Sequence, residues 1–337
     1  MTEKQYSGVL IFAEQKNKKI HKISYELLGK GRLLADELKC NLIALIMGPG
    51  EIDVQELIYR GADKVYHISD EEIFSIPDEV LYAENAVHLI DEIKPEICLF
   101  GATAFGRSLA PRIAALTGTG LTADCTDLRI DDDKKLIQIR PAFSENILAH
   151  IKSDAYPQMS TVRYREFNEA IRDENRKGDV VVAEPVKSVQ NAVEILEEIE
   201  KDSINIADAN VVVAAGASVK NSEDLNMIKE LAELLGGEVG ASRALVESGI
   251  ISKEHQVGYS GNRVKPAVYI ACGILGAPQH IAGMKESGII IAINNDPSAP
   301  IFNIADYSIV GDMYKIVPEI INALRDKGIH TSLSGSE

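Results

Sequence analysis

The strongest constraint on the fold of this chain is a repeated alternation between short apolar runs and longer amphipathic ones. In the first half, residues 8–14, 41–47, 64–67 and 97–102 are β-branched or aliphatic and are bounded by glycine, proline or charge, the signature of strands. Between them, residues 24–38 place Leu27, Leu28, Leu34, Ala35 and Leu38 on one helical face, and residues 55–59 predict a shorter helix ahead of a Gly-Ala turn. Strands that alternate with helices bury both faces of a parallel sheet, which places the chain in the α/β class.

The pattern changes between Asp127 and Arg165, where strand candidates 128–130, 136–140, 147–151 and 159–164 follow one another with few helices. A mainly antiparallel addition to the sheet is expected there. Residues 168–203 are charged and poorly periodic, as a domain junction would be, with 180–183 as a candidate edge strand. The alternation then restarts. A strand at 211–215 precedes a helix at 223–235, capped by Asn221 or Ser222, with acids in its first turn and Gly236-Gly237 at its end. Strands at 268–272, 289–293 and 309–310 follow, then a helix at 316–325. The expected organisation is therefore an N-terminal mixed α/β, nucleotide-binding-like domain over residues 1–203. A doubly wound parallel-sheet domain over 204–330 and a loose tail at 331–337 follow it.

Charge and cysteine usage narrow the function. The formal net charge of −16 disfavours nucleic acid, because neutralising phosphates needs a basic face, and it disfavours an anionic membrane surface equally. Cys40, Cys98, Cys125 and Cys272 form no CxxC pair, so a thiolate-held metal or cluster has no support. Three of the four lie in or beside apolar runs, where a thiol behaves as a small hydrophobe. The N-terminal stretch has no basic segment followed by a long apolar core, and no apolar run reaches the ~18 residues of a membrane span. A cytoplasmic protein with no membrane insertion is expected.

In a doubly wound sheet, ligands bind where the strands end and the chain turns into helices. Three such turns stand out: Gly216-Ala217-Ser218, Gly273-Ile274-Leu275-Gly276-Ala277-Pro278-Gln279-His280, and Asn294-Asn295-Asp296-Pro297. In the second, two glycines three apart allow close backbone approach, and polar groups follow at a helix start, where free N–H groups favour an anion such as a pyrophosphate. The loop Val257-Gly258-Tyr259-Ser260-Gly261 is another polar segment flanked by glycine. Arg243, after Gly240-Ala241-Ser242, is placed either to reach a ligand or to make a surface ion pair, and spacing leaves both open.

Taken together these residues carry a resemblance. GASRALVESGI, followed by QVGYSGNRVKPAVYIACGILGAPQHIAGMKESGIIIAINNDPSAPIFNIADYSIVGDMYKIVPEI, resembles the FAD-binding domain of electron transfer flavoprotein alpha subunits, the ETF alpha/FixB family. Its centre is a Tyr-hydrophobic-Ala strand, a glycine-rich turn, Gln-His, a glycine and Ala-Ile-Asn. Here those are Tyr269, Ile270, Ala271, Gly273, Gly276, Gln279, His280, Gly283, Ala292, Ile293 and Asn294. The segment PEICLFGATAFGRSLAPRIAALTGTGLTADCTDL extends the resemblance to the first domain, so that it covers nearly the whole chain.

The resemblance implies a site. Arg243 would lie against the flavin ring, where a fixed cation favours a reduced, anionic flavin. At an effective dielectric of about 20, a charge ~4 Å away is worth roughly 4 kcal/mol before desolvation. Ser260 matches a hydroxyl that hydrogen-bonds flavin N5. His280 matches a histidine near flavin O2, where an N–H or a full positive charge would stabilise the reduced ring. Gly276, Ala277 and Gln279 would line the ribityl and phosphate path, and Asn294 and Asp312 match positions that bind the ribityl-phosphate and adenosine portions. Ser242, Val257, Gly258, Tyr259, Leu275, Pro278 and Met313 complete the cofactor-binding set. Asp312 as a plain helix cap and His280 as a capping histidine are the bland alternatives.

Some positions depart from the family pattern. Leu275 stands where a serine is usual, Tyr259 where a glutamine is usual, and Ala217 in place of an arginine. Pro278 removes one backbone donor, and Ser144-Glu145 replaces two glycines. No catalytic residue and no metal are implied. The resemblance implies an electron carrier that pairs with a beta subunit and serves an acyl-CoA dehydrogenase or similar flavoenzyme. If the beta subunit holds a second FAD and uses NADH, the complex would bifurcate electrons. The alternatives are a subunit of the same fold that binds a nucleotide or acts as a scaffold without FAD, and a NAD-dependent oxidoreductase. The latter lacks its G-x-G-x-x-G turn and following acid in the early strands.

Overall fold

The computed structural model describes residues 6–74, 76–142, 147–186 and 206–327. The chain divides into two compact units between residues 196 and 197. That division and the expected boundary at 203/204 both fall in the stretch 187–205, outside the described residues, as do the tail at 331–337 and Ser144-Glu145.

The N-terminal unit runs β1 (Val9–Ala13), β2 (Gln15–Lys16), β3 (Lys19–Ile20), α1 (Lys22–Leu38), β4 (Leu42–Gly48), α2 (Gln55–Tyr59), β5 (Lys64–Ser69), α3 (Glu79–Ile93), β6 (Ile97–Gly101) and α4 (Ala104–Thr117). It continues through β7 (Leu121–Cys125), β8 (Asp127–Ile130), β9 (Leu136–Ala142), β10 (Ile147–Ile151), β11 (Gln158–Val162) and β12 (Asp179–Ala183). Seven strands form one parallel sheet in the order β12-β5-β4-β1-β6-β11-β7. β1, β4 and β6 are buried along their whole length, which is why they read as unbroken apolar runs.

α1 shows how sequence sets these elements. The His21 side chain accepts the Ile23 N–H at 3.1 Å to open the helix, and Lys39, at φ 56°, closes it in the left-handed region. Leu27, Leu28 and Leu34 face the sheet and are buried, each contributing roughly 1.5–3 kcal/mol by leaving water. α3 and α4 go beyond the segments marked in the sequence. Pro111 in the interior of α4 obscures the helical pattern there.

The expected antiparallel addition takes a different form. β8, β9 and β10 make a separate antiparallel sheet in the order β10-β9-β8, while β11 inserts into the main sheet between β6 and β7, parallel to both. Burial separates the two cases. β11 is buried at every position and needs cover on both faces, whereas β10 is largely exposed and needs only its hairpin neighbour. β12 is an edge strand of the main sheet, with Val180 and Val182 exposed.

The C-terminal unit comprises β13 (Val211–Ala215), α5 (Leu225–Leu234), β14 (Glu238–Ala241), α6 (Arg243–Glu247), β15 (Val268–Cys272), α7 (Pro278–Ile281), β16 (Ile289–Asn294), β17 (Tyr307–Val310) and α8 (Met313–Asp326). All five strands are parallel, in the order β14-β13-β15-β16-β17. Alternate residues serve opposite faces. Val211, Val213, Ala215, Ile270, Cys272 and Ile293 pack with α5 and α8, while Val212, Ala214, Tyr269, Ala271 and Ala292 pack with Val257, Ile274, Met284 and Ile301.

Three local expectations need correction. β14 was not among the expected strands. Asn221 accepts the Asp224 N–H at 2.8 Å, yet α5 starts only at Leu225, without a side-chain cap and with no acid in its first turn. α8 starts at Met313, three residues before the expected 316, because the Asp312 carboxylate accepts the Tyr314 N–H at 3.0 Å and fixes the first turn.

Candidate functional site

Strand order fixes where a ligand can enter the C-terminal unit. Numbering its strands from one, the order is 2-1-3-4-5, so the chain reverses direction across the sheet between β13 and β15. The crevice outside their carboxyl ends is the favoured ligand position in such a sheet. Gly216 follows β13 and Gly273 follows β15. A Cβ on Gly216 would lie 1.9 Å from the Gly273 carbonyl oxygen, and Gly273 itself has φ +63°. Only glycine lets these two turns close on each other.

The expected site residues gather around this edge. The Val257 N–H donates to the Ala241 carbonyl at 2.9 Å, which ties the loop 257–260 to the end of β14, where Ser242 and Arg243 follow. The Tyr259 N–H donates to the Gln279 carbonyl at 2.7 Å, and a Cβ on Gly258 would meet that same carbonyl oxygen at 2.9 Å. Loop 257–260 and turn 275–280 are thereby joined. At the end of β16, Asn294 is buried. Its amide donates to the Ile274 carbonyl at 2.9 Å and its side-chain oxygen accepts the Asp296 N–H at 3.0 Å. The Gly311 N–H donates to the Asn294 carbonyl, and Met313, buried, has its sulfur 2.8 Å from where a Cβ on Gly273 would sit.

Not every predicted side chain faces the crevice with free groups. The Arg243 guanidinium, 69% exposed, donates to Glu247 at 2.8 Å along α6, and Ser242 caps that helix through the Leu245 N–H. Asp312 caps α8. Ser260 is exposed, and its hydroxyl accepts from the Gln256 amide at 3.1 Å. Tyr259, at 62%, and Leu275, at 59%, expose large apolar surfaces. The helix expected to follow the glycine turn is short: α7 spans four residues, with Pro278 in its first turn and no side-chain cap. Its dipole is correspondingly small, so backbone N–H groups of the turn itself must supply any anion contact. No acceptor among the described residues takes the amides of Leu275, Gly276 or Ala277.

Two contacts were not legible in sequence. Tyr269, buried in β15, makes a 2.9 Å hydrogen bond through its hydroxyl with Nε2 of His280, itself 6% exposed. Burial pushes the His280 imidazole down to about 4, with the Val257 backbone pulling weakly the other way, so the ring is neutral near pH 7. Tyr314, in α8, shares its one hydroxyl proton between the Ser218 carbonyl at 2.9 Å and Asp224 at 2.8 Å, latching the turn after β13. In both, the hydroxyl makes a contact that the spacing of the tyrosine does not show.

The N-terminal unit has a cavity of about 580 Å³ bordered by Arg32, Arg60, Arg176 and the loop 166–173. Its cations are already committed: Arg32 and Arg176 pair with Asp63, and Arg60 with Glu56 and Glu169. Arg60, just after α2, holds Glu169 of the loop, and the Ala170 N–H donates to the Tyr25 carbonyl of α1 at 2.9 Å. Among the described residues no cluster of three His, Cys, Asp or Glu is placed to hold a metal ion, and no helix is long and apolar enough to cross a membrane.

Residues 9–188 match the family model of the electron transfer flavoprotein domain, and residues 205–285 match that of the electron transfer flavoprotein FAD-binding domain. The chain belongs to the electron transfer flavoprotein alpha subunit family. It is 45% identical over 325 residues to the electron transfer flavoprotein subunit alpha of Thermoanaerobacterium thermosaccharolyticum, covering 95% of this chain and 98% of that one. It is 43% identical to Protein FixB of Clostridium saccharobutylicum, over 94% of this chain and 96% of that one. It is also 42% identical to lactate dehydrogenase (NAD(+),ferredoxin) subunit LctC of Acetobacterium woodii, over 95% of this chain and 77% of that one. The FAD-binding match includes the Gly216–Gly273 crevice, loop 257–260 and turn 275–280.

The residues present fit an extended dinucleotide. The crevice is walled by backbone, and three consecutive amides of its central turn take no acceptor among the described residues. Exposed Tyr259 and Leu275 supply apolar surface for a planar ring.

Proposed function

We propose that this chain is the FAD-carrying alpha subunit of a heterodimeric electron transfer flavoprotein, moving electrons from a dehydrogenase to a second redox partner. The observation that carries this reading is the backbone crevice at the β13/β15 reversal, within the segment that matches the FAD-binding domain. FAD supplies one- and two-electron transfer when bound, and the protein supplies its position and electrostatics.

The amides of Leu275, Gly276 and Ala277, with the backbone of Pro278 and Gln279, would hold the phosphate and ribityl path. Ser260 and the neutral His280 would offer hydrogen bonds to the ring edge. Arg243 would supply the cation, exchanging its exposed Glu247 partner for the flavin, an exchange that costs little because surface ion pairs are weak. Ser242, Val257, Gly258, Tyr259, Asn294, Asp312 and Met313 complete the lining. Asn294 acts by holding the Ile274 carbonyl, and so the turn, in place. A beta subunit is the expected partner of the N-terminal unit, and an acyl-CoA dehydrogenase or similar flavoenzyme the expected client. Cytoplasmic placement follows from the same reading.

A second reading has its own support. The Acetobacterium woodii relative is named for both NAD(+) and ferredoxin, which favours a complex that divides electron pairs between two acceptors. Co-expression with a beta subunit tests both readings. A yellow heterodimer with absorbance near 450 nm (about the flavin maximum) and one FAD per alpha chain supports the first, and a second FAD with NADH-driven reduction supports the other. A colourless heterodimer that takes up no added FAD would refute both.

A further inference from the structure

We propose that Tyr314 is a positioning residue that governs release of the dinucleotide: its hydroxyl fastens the turn 216–219 to the start of α8, and this bond must open before FAD leaves the crevice. The inference rests on the reading of the crevice as a flavin site, although the fastening itself concerns the protein alone.

The crevice has two walls of backbone, the turn after β13 and the turn after β15, and the first two residues of α8 each touch one of them. Met313 is buried and serves the second wall. A Cβ on Gly273 would meet the Met313 sulfur at 2.8 Å and the Ser218 side chain at 2.6 Å, so Gly273 is wedged between the first turn and the helix. Tyr314 serves the first wall, with its hydroxyl proton shared between the Ser218 carbonyl at 2.9 Å and the Asp224 carboxylate at 2.8 Å. The tyrosine is itself fixed, because the Asp312 carboxylate accepts its N–H at 3.0 Å. Asp224 is fixed too: its N–H donates to Asn221 at 2.8 Å, and its carboxylate also takes the Lys220 N–H at 3.2 Å. One hydroxyl therefore joins three segments, namely the turn, the loop 220–224 ahead of α5, and the first turn of α8.

The two walls differ in what else holds them. The turn after β15 is held from within the sheet, by the Gly273 N–H on the Ile293 carbonyl at 2.8 Å and by the buried Asn294 amide on the Ile274 carbonyl. The turn after β13 is held at its base by the Gly216 N–H on the Cys272 carbonyl at 2.8 Å, and at its far end by Val219, buried in the core. Its middle lies at the surface. There the Ser218 hydroxyl makes a long 3.3 Å bond to the Gly273 carbonyl, and the Ser218 carbonyl takes the Tyr314 hydroxyl. Ser218 and Tyr314 are both partly exposed, so water can replace the hydroxyl on the carbonyl when the bond opens. Such a bond adds little to global stability and is suited to local opening. Opening it frees the middle of the wall that faces Gly273, the part of the crevice that a bound dinucleotide must pass.

The test compares wild type with Tyr314→Phe, which keeps the ring and removes only the hydroxyl, as the heterodimer with a beta subunit, loaded with FAD and stripped of it. Amide exchange of the segment 216–224 is read by mass spectrometry, and FAD release by the flavin fluorescence that appears on dilution. The expected result is faster exchange in 216–224 in both forms and faster FAD release, by one common factor of about five, the equivalent of ~1 kcal/mol. The urea midpoint and the exchange of β13 and β15 stay at wild-type values, which a merely structural loss would move. Unchanged exchange in 216–224 would overturn the proposal, as would faster exchange with unchanged FAD release, or a loss of protection spread over the whole C-terminal unit. Wild-type exchange in 216–224 at the rate of an unfolded peptide would overturn it even if the variant did not fold. If the wild-type heterodimer takes up no FAD, the flavin reading fails and the role in release with it, while exchange in the stripped protein still decides whether Tyr314 fastens the turn.

Discussion

Gly216 and Gly273 approach so closely that a methyl group on the first would lie 1.9 Å from the carbonyl oxygen of the second. The contact lies at the one place in the C-terminal sheet where strand order reverses, and it shapes the crevice that a dinucleotide would occupy. Gly216→Ala should therefore force the two turns apart. The expected cost is about 1–3 kcal/mol, the usual range for overpacking, together with weakened FAD binding. Urea denaturation and FAD titration of the same variant measure the two losses, and wild-type values for both would show that the crevice has room to spare.

Arg243 is predicted to matter for the ligand and not for the fold. Its guanidinium is exposed and its ion pair with Glu247 lies on the surface, so Arg243→Ala should shift stability by no more than about 0.5 kcal/mol. Affinity for FAD should fall about tenfold or more, the equivalent of ~1.4 kcal/mol, and the flavin potential should drop. Arg243→Lys should recover part of the affinity. Calorimetry separates stability from binding here, and a variant that loses both would place Arg243 in the folding core.

Asn294 is predicted to behave in the opposite way. Its buried amide bridges the Ile274 carbonyl and the Asp296 N–H, so Asn294→Ala strands a buried acceptor. A loss of about 1–3 kcal/mol follows, with faster amide exchange in the turn 274–277. Hydrogen-exchange mass spectrometry would reveal the loosened turn.

Acid should act on two buried groups, His280 and Glu26, in opposite directions. In the C-terminal unit, burial holds His280 at about 4 against an ordinary 6.5, so between those values the unfolded chain binds the extra proton, and stability falls as pH drops through that window. In the N-terminal unit, burial raises Glu26 to about 7 from 4.5, although the Arg165 and Phe167 N–H groups donate to it and pull part of the way back. There the folded state binds the extra proton, so the contribution of Glu26 grows as pH falls from 7 towards 4.5. Burial also lowers His67 in the N-terminal unit, which opposes Glu26, so the groups are separated by comparing exchange rates of variants with those of wild type from pH 7 to 5. Glu26→Gln should flatten the N-terminal response, and His280→Gln the C-terminal one.

Much of the fold was legible because buried parallel strands cannot hide. Residues 211–215, 268–272 and 289–293 are apolar runs closed by glycine or asparagine, and the structure has strands at each. β14 was not legible. It is four residues long, contains Gly240, and sits between Gly236-Gly237 and a helix start, so its local chemistry reads as loop while its pairing with β13 comes from the sheet. The separate β8-β9-β10 sheet was missed for a related reason, since alternation shows that strands exist and not which neighbour they choose. At the site, the glycine turns and the Gln-His pair were visible as residue types. The pairing of Arg243 with Glu247, the use of Asp312 as a cap and the Tyr269–His280 bond depend on side-chain direction, which spacing does not carry.

The most direct test of the central claim is the FAD content of the purified heterodimer of this chain with its beta subunit. The account predicts a yellow protein whose alpha chain holds one FAD, with FAD released when Gly216→Ala or Gly276→Ala distorts the crevice. A heterodimer that is well folded, colourless and indifferent to excess FAD would contradict it.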